Sequence, residues 1–171
     1  MTLANMIPVF LDFDGVCHPD AVTHLPGEEV RLRTAFLPKD YESCTLFCYT
    51  RHLTEVLASF PQVRLILSTS WVEEFGLDHA KSLLPPALQY LVIGATYNQE
   101  STPKWHYQTR YEQIWTHAVA HQFGNHWIAI DNDDTGWPDV HRDNLVLTDD
   151  HAGLGDPSIL TRLRERLWSI G

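Results

Sequence analysis

The chain predicts an α/β fold built on a doubly wound parallel sheet, and three observations predict it. Short, almost uninterrupted apolar runs alternate with stretches of helical periodicity, the pattern of strands buried on both faces between helices. The first run, Val9-Phe10-Leu11-Asp12-Phe13-Asp14-Gly15-Val16, closes on two aspartates and a glycine. Polar residues with reactive chemistry stand at the ends of the other runs as well, where doubly wound sheets bind their ligands. About five strands with helices on both faces are expected.

Ile7 to Phe13 reads as the first strand, Val63-Arg64-Leu65-Ile66-Leu67 as the second and Tyr90 to Gly94 as the third. Trp127-Ile128-Ala129-Ile130 reads as the fourth strand and Asn144 to Leu147 as the fifth. Leu46, Tyr49, Leu53, Val56, Leu57 and Phe60 form one helical stripe that Pro61 stops, and this helix is expected to carry Cys44 and Cys48. Val72 to Leu84 reads as a second helix ended by Pro85-Pro86. Tyr111, Ile114, Trp115, Ala118 and Val119 mark a third, with Gly124 beyond its end. Pro157 to Trp168 is the fourth, with Asp156 as N-cap and Pro157 at the first helical position.

The 171 residues favour one domain spanning residues 1–171 and suffice for a sizeable core. A hydrophobic share of 44% with 20% charged residues is that of a globular chain. No apolar run approaches the ~20 residues of a membrane span. Met1 to Asn5 lack the Lys or Arg of a signal peptide, and three cysteines speak against a disulfide scaffold, so a reduced, cytoplasmic setting is expected. The net charge of -10 argues against broad nucleic-acid binding, since phosphate backbones want basic surfaces, but it allows a local basic pocket.

The strand ends carry the chemistry. The first strand ends in Asp12 and Asp14, the second in Ser68-Thr69-Ser70, the fourth in Asp131-Asn132-Asp133-Asp134. Lys104 and Arg110 lie between the third and fourth strands. Two close carboxylates repel each other and resist burial, and a divalent cation with a taste for hard oxygen ligands, magnesium above all, relieves both costs. Nucleophile, acid, hydroxyl donor, cation and metal ligands are the parts of a phosphoryl-transfer site. Each also has a plainer reading: Ser68 to Ser70 as a helix cap, Lys104 and Arg110 as solvated cations, Asp131 to Asp134 as an acidic turn. Their coincidence at one sheet edge favours the functional one. Trp71, Trp105, Tyr107 and Trp137 sit in strand-end loops and have the chemistry to stack on a base, although core packing is commoner. His18 and His151 are placed to touch substrate. His117 and His121, four apart on a helix, lack a third zinc ligand at sensible spacing.

With these residues in hand, the chain resembles the haloacid dehalogenase superfamily. Phe10-Leu11-Asp12-Phe13-Asp14-Gly15-Val16 is similar to its first motif and Leu65-Ile66-Leu67-Ser68 to its second. Lys104 or Arg110 supplies the third, and Ile128-Ala129-Ile130-Asp131-Asn132 is similar to the fourth. Leu67-Ser68-Thr69-Ser70-Trp71, Arg110-x-Glu112-x-Ile114 and the Asp131 run resemble a small bacterial branch that includes domains associated with RNA-repair proteins. Asp131-Asn132 departs from the superfamily's commoner Gly-Asp form and is more similar to the pair in phosphatases of the RNA polymerase II tail, where the Asn is a magnesium ligand.

The resemblance implies a Mg²⁺-dependent phosphatase with a minimal cap. It implies Asp12 as nucleophile, forming an aspartyl-phosphate, and Asp14 as general acid/base. It implies Ser68, Thr69, Lys104 and Arg110 around the phosphate, and Asp12, Asp14 through its carbonyl, Asp131 and Asn132 around the metal. Asp14 favours phosphate transfer over dehalogenation. The segment Cys17 to Ser43 is too short for a full cap. An open site suits a phosphorylated small molecule or a nucleic-acid end. A phosphotransferase and a non-catalytic regulatory domain of the same fold are the rival readings, and the intact Asp12/Asp14 pair argues against the second.

Overall fold

Five apolar strands assemble into one parallel sheet, in the spatial order Val92–Ala95, Val63–Leu67, Ile7–Leu11, Ile128–Asp131 and Leu145–Leu147. The computed structural model describes residues 6–23, 30–98 and 105–171. The strands are β1 (Ile7–Leu11), β4 (Val63–Leu67), β5 (Val92–Ala95), β6 (Ile128–Asp131) and β7 (Leu145–Leu147). The helices are α1 (Thr50–Leu57), α2 (Ser70–Phe75), α3 (Leu77–Ser82), α4 (Pro86–Gln89), α5 (Arg110–Ala120) and α6 (Pro157–Ile170). A small antiparallel ribbon, β2 (Val22–Thr23) with β3 (Arg31–Leu32), and 3-10 turns at Thr34–Phe36 and Lys39–Tyr41 fill the passage from β1 to α1.

Alternation along β1 assigns its side chains to two cores. Ile7, Val9, Leu11 and the following Phe13 join the larger core, with Leu53 and Val56 of α1, Leu163 and Leu167 of α6, and Leu88 of α4. Phe10 faces the other way, into a core formed with Ile66, Ala129, Ile114 and Ala118 of α5, Trp127 and Trp137. Helices therefore cover both faces of the sheet, as the apolar runs predict. Only α5 packs on the second face among these core helices, and large rings fill the remaining space. Phe10 meets Trp127 and His117 edge-on, with ring centroids 5.7 and 5.6 Å apart.

Register is what builds the site. Leu11 pairs with Leu67 on one side and with Ile130 on the other. The next residue of each strand, Asp12, Ser68 and Asp131, therefore stands in one row at the carboxyl edge. Two backbone bonds tie the row: the Ser68 amide donates to Leu11 and the Asp12 amide to Ile130. The chain runs outward from β1 in both directions, so this row lies where the strand order reverses.

Three expectations are corrected in detail. Cys44 and Cys48 lie in turns ahead of α1, which begins only at Thr50. The long helix expected over Val72 to Leu84 is two short ones, broken at Gly76, whose φ of +84° no ordinary helix accepts. The third sheet strand starts at Val92 rather than Tyr90, which is 90% exposed.

Phe10 is the residue that couples the sheet to α5. Phe10→Ala is expected to cost about 3–5 kcal/mol in urea unfolding, the range for truncating a buried ring. A cost under about 1 kcal/mol would mean that the second core repacks freely.

Candidate active site

The carboxyl edge brings Asp12, Asp14, Ser68, Thr69, Asp131 and Asn132 together with Arg110. Arg110 is the first residue of α5, and a capping box fixes that helix start. The Thr109 hydroxyl accepts from the Glu112 amide at 3.2 Å, and the Glu112 carboxylate accepts from the Thr109 amide at 2.8 Å. Gly136, with φ +76°, packs against Thr109; a Cβ there would approach its hydroxyl to 3.2 Å.

From this start the Arg110 guanidinium reaches between two carboxylates of the row. Its Nη2 lies 3.5 Å from Asp12 Oδ1 and its Nε 3.2 Å from Asp131 Oδ2. Nη1 donates to Gln113 Oε1 at 3.1 Å, and the Gln113 amide nitrogen is itself anchored to the carbonyls of Trp105 and Gln108. Sequence reasoning gave Gln113 no role. It is the turn-spaced neighbour of Arg110 on α5, a signal that is present but common. Lys104, the rival cation, lies outside the described residues.

Charge is unbalanced here. Asp12 and Asp131 are buried, at 5% and 1% exposure, with one guanidinium between them. Burial raises the Asp12 carboxyl to about 6, against the pull of Arg110, and the nearby Asp14 charge pushes it further up. Burial and then repulsion from Asp12 hold Asp131 well above the usual carboxylate range. Burial opposes the charge of Arg110, but Asp12 and Asp131 together keep it firmly protonated. Net negative charge in a low-dielectric site invites a cation.

The remaining residues are fixed by local bonds. Thr69 caps α2 by accepting from the Trp71 amide, and its hydroxyl also hydrogen-bonds Asp12. Ser68 Oγ is buried and has no hydrogen-bond partner among the described residues, an orphan that a phosphoryl oxygen would satisfy. Asp131 Oδ1 accepts from the Asp133 amide at 3.0 Å. Asp133 itself is exposed and uses its carboxylate to cap the Thr135 amide. Asn132 donates its Nδ2 to Asp150 Oδ1 at 2.9 Å, leaving the amide oxygen as the end with metal-binding chemistry. Gly15, with φ +67°, admits Asn132: a Cβ there would lie 2.5–3.0 Å from its side-chain atoms.

Asp14 is held by two residues that sequence reasoning did not connect to it. Trp71 Nε1 donates to Asp14 Oδ2 at 2.8 Å, and His18 Nε2 meets Asp14 Oδ1 at 3.1 Å. His18, expected to touch substrate, is fully buried. Trp71, Trp105 and Trp137 are buried too, whereas Tyr107 is exposed. His151 is part-exposed and stacks on Tyr41. His117 and His121 stack on each other at 4.1 Å, and burial, then its neighbour His121, lowers His117 to about 4.

Among the described residues no three acidic, His or Cys side chains form a ready cluster around a metal ion. Magnesium keeps part of its water shell and uses one or two protein carboxylates with substrate phosphate oxygens. Asp12 and Asp131 are two such carboxylates, short of positive charge, so the residues fit the ion. A cavity of about 480 Å³ lies between β5 and α5, lined in part by Thr96, Trp105, His117 and Gln113. Among the described residues no helix is long and apolar enough to cross a membrane.

The family described as the HAD domain in Swiss Army Knife RNA repair proteins matches residues 8–159, from the start of β1 into α6. No curated protein and no solved structure matches the chain. With most of its length matched, and with the five-stranded parallel sheet of that fold, the chain belongs to the HAD domain family of Swiss Army Knife RNA repair proteins.

Proposed function

We propose that this protein is a Mg²⁺-dependent phosphatase that removes a phosphomonoester from a nucleic-acid end through an aspartyl-phosphate on Asp12. The observation that carries the proposal is Arg110 set between buried Asp12 and Asp131, beside the orphaned Ser68 hydroxyl. Membership of an RNA-repair family supports the nucleic-acid end as substrate. So does the short passage from β1 to α1, too small for a full cap, since an open site suits a bulky substrate. A cytoplasmic location is part of the same reading.

In this reading an Asp12 carboxylate oxygen attacks phosphorus as the ester oxygen departs with a proton from Asp14. Asp14 then takes a proton from water as that water attacks phosphorus, which frees Asp12 and inorganic phosphate. Ser68 and Thr69 donate to phosphoryl oxygens, and Arg110 holds the Asp12 carboxylate and offsets charge that builds on the phosphate. Asp12, Asp131, Asn132 and the Asp14 carbonyl are the residues that would hold magnesium. When bound, the ion supplies positive charge to the carboxylates and phosphate together.

Asp12→Asn is expected to abolish Mg²⁺-dependent release of phosphate from 3′- or 5′-phosphorylated oligonucleotides while leaving the fold intact. Arg110→Ala should lower kcat by about 10²–10³-fold, the range for deleting one charge-stabilising donor. Full activity in Asp12→Asn would exclude the mechanism.

The raised Asp12 carboxyl has a stability consequence. A carboxyl that binds its proton more tightly when folded favours the native state below its ordinary value of 3.8 and progressively less as pH rises through about 6. Without divalent cations, Asp12→Asn should therefore melt above wild type near neutral pH, by about 2–4 °C per kcal/mol regained. The advantage should close toward about pH 4, the unperturbed carboxylate range. A wild type that melts higher than the variant near neutral pH, free of metal, would contradict the charge imbalance.

A further inference from the structure

Asp14 is gripped at both carboxylate oxygens by two rings, those of Trp71 and His18. The Trp71 indole N–H can only donate, so its 2.8 Å bond makes Asp14 Oδ2 an acceptor. His18 is more informative. The Phe47 amide donates to His18 Nδ1 at 3.4 Å, which assigns the ring hydrogen to Nε2 and makes His18 a donor to Asp14 Oδ1. The backbones of Asp14 and His18 form a β-bridge, so the turn that carries Gly15 also fixes the histidine.

Both rings are locked from behind. His18 is fully buried and Trp71 is 4% exposed, whereas a quarter of the Asp14 side chain remains open. Phe47 packs edge-on against His18, Trp71 and Phe13, with centroids 5.0–5.6 Å apart. Phe47 also adopts φ +60°, a conformation that a bulky residue holds only when its surroundings impose it. The amide of this same residue is the one that donates to His18. A simple packing role would need neither the two donors nor the strained residue behind one of them.

We propose that His18 and Trp71 are positioning residues that hold the Asp14 carboxylate in the one orientation from which it serves the leaving oxygen. This rests on the phosphatase reading, in which Asp14 gives its proton to the ester oxygen while the Asp12–phosphorus bond forms and the phosphorus–ester bond breaks. Neither ring touches the reacting atoms.

The effect of a misplaced acid depends on how much the leaving group needs it. Phenyl phosphate needs a proton on departure and 4-nitrophenyl phosphate hardly does. The kcat/KM for each ester, measured with Mg²⁺, reports steps only up to phosphoenzyme formation. Trp71→Phe and His18→Phe should lose about 10–100-fold on phenyl phosphate and under about threefold on 4-nitrophenyl phosphate, within the range general-acid catalysis supplies. His18→Gln, which restores an N–H donor, should recover most of the loss. Trp71→Phe keeps a ring in the cluster, so one variant deletes a single donor with the packing held. Equal losses on both esters, no loss on either, or no recovery in His18→Gln would overturn the proposal. Wild-type protein that turns over neither ester would instead overturn the phosphatase reading on which it stands.

Discussion

Two buried carboxylates share one guanidinium at the carboxyl edge of this sheet, and much of the molecule serves that imbalance. Asp12 and Asp131 lie 3.5 and 3.2 Å from the Arg110 guanidinium, and when both are ionised they exceed its charge. A folded chain tolerates such a site because the sheet around it is closely packed and both strands are central. Their backbones cannot retreat without breaking the ladder that joins Leu11 to Leu67 and Ile130. The strain is electrostatic and local, and a bound cation would relieve it.

The fold serves this site through register and through helix starts. Register aligns Asp12, Ser68 and Asp131 as the residues that follow one row of the sheet. The capping box at Thr109 delivers Arg110 to that row from the far face, where Phe10, Ile114 and Trp127 anchor α5. Thr69 caps α2 and so brings the Trp71 indole over Asp14. Glycine enters where closeness demands it: Gly15 makes room for Asn132, and Gly153, with φ +47°, lets the chain before α6 close on the Val16 carbonyl.

The sheet and the acidic half of the site were legible in the sequence because both are local. Strands buried on two faces are apolar without interruption, and Asp12, Ser68 and Asp131 directly follow such runs. The cationic half was not legible. Lys104 and Arg110 are both near enough in sequence, and only the packing of α5 brings Arg110 to Asp12. The grip on Asp14 was hidden for the same reason, since Trp71 is 57 positions away and no period or spacing links the two. Apolar periodicity also misled where backbone conformation decides: Gly76 splits a helix that the pattern of Val72 to Leu84 suggests is continuous. The turns that hold Cys44 and Cys48 likewise defeat a stripe that runs on past them.

The proposed attack of Asp12 on phosphorus would leave a covalent mark on the protein. The most direct measurement quenches wild-type protein in acid during turnover of a phosphorylated oligonucleotide with Mg²⁺ and maps its peptides by mass spectrometry. The expected result is the added mass of one phosphoryl group on the peptide that carries Asp12, with fragment ions that assign it to this residue. Steady turnover with no phosphoryl group on Asp12, or with the group on another side chain, would contradict it.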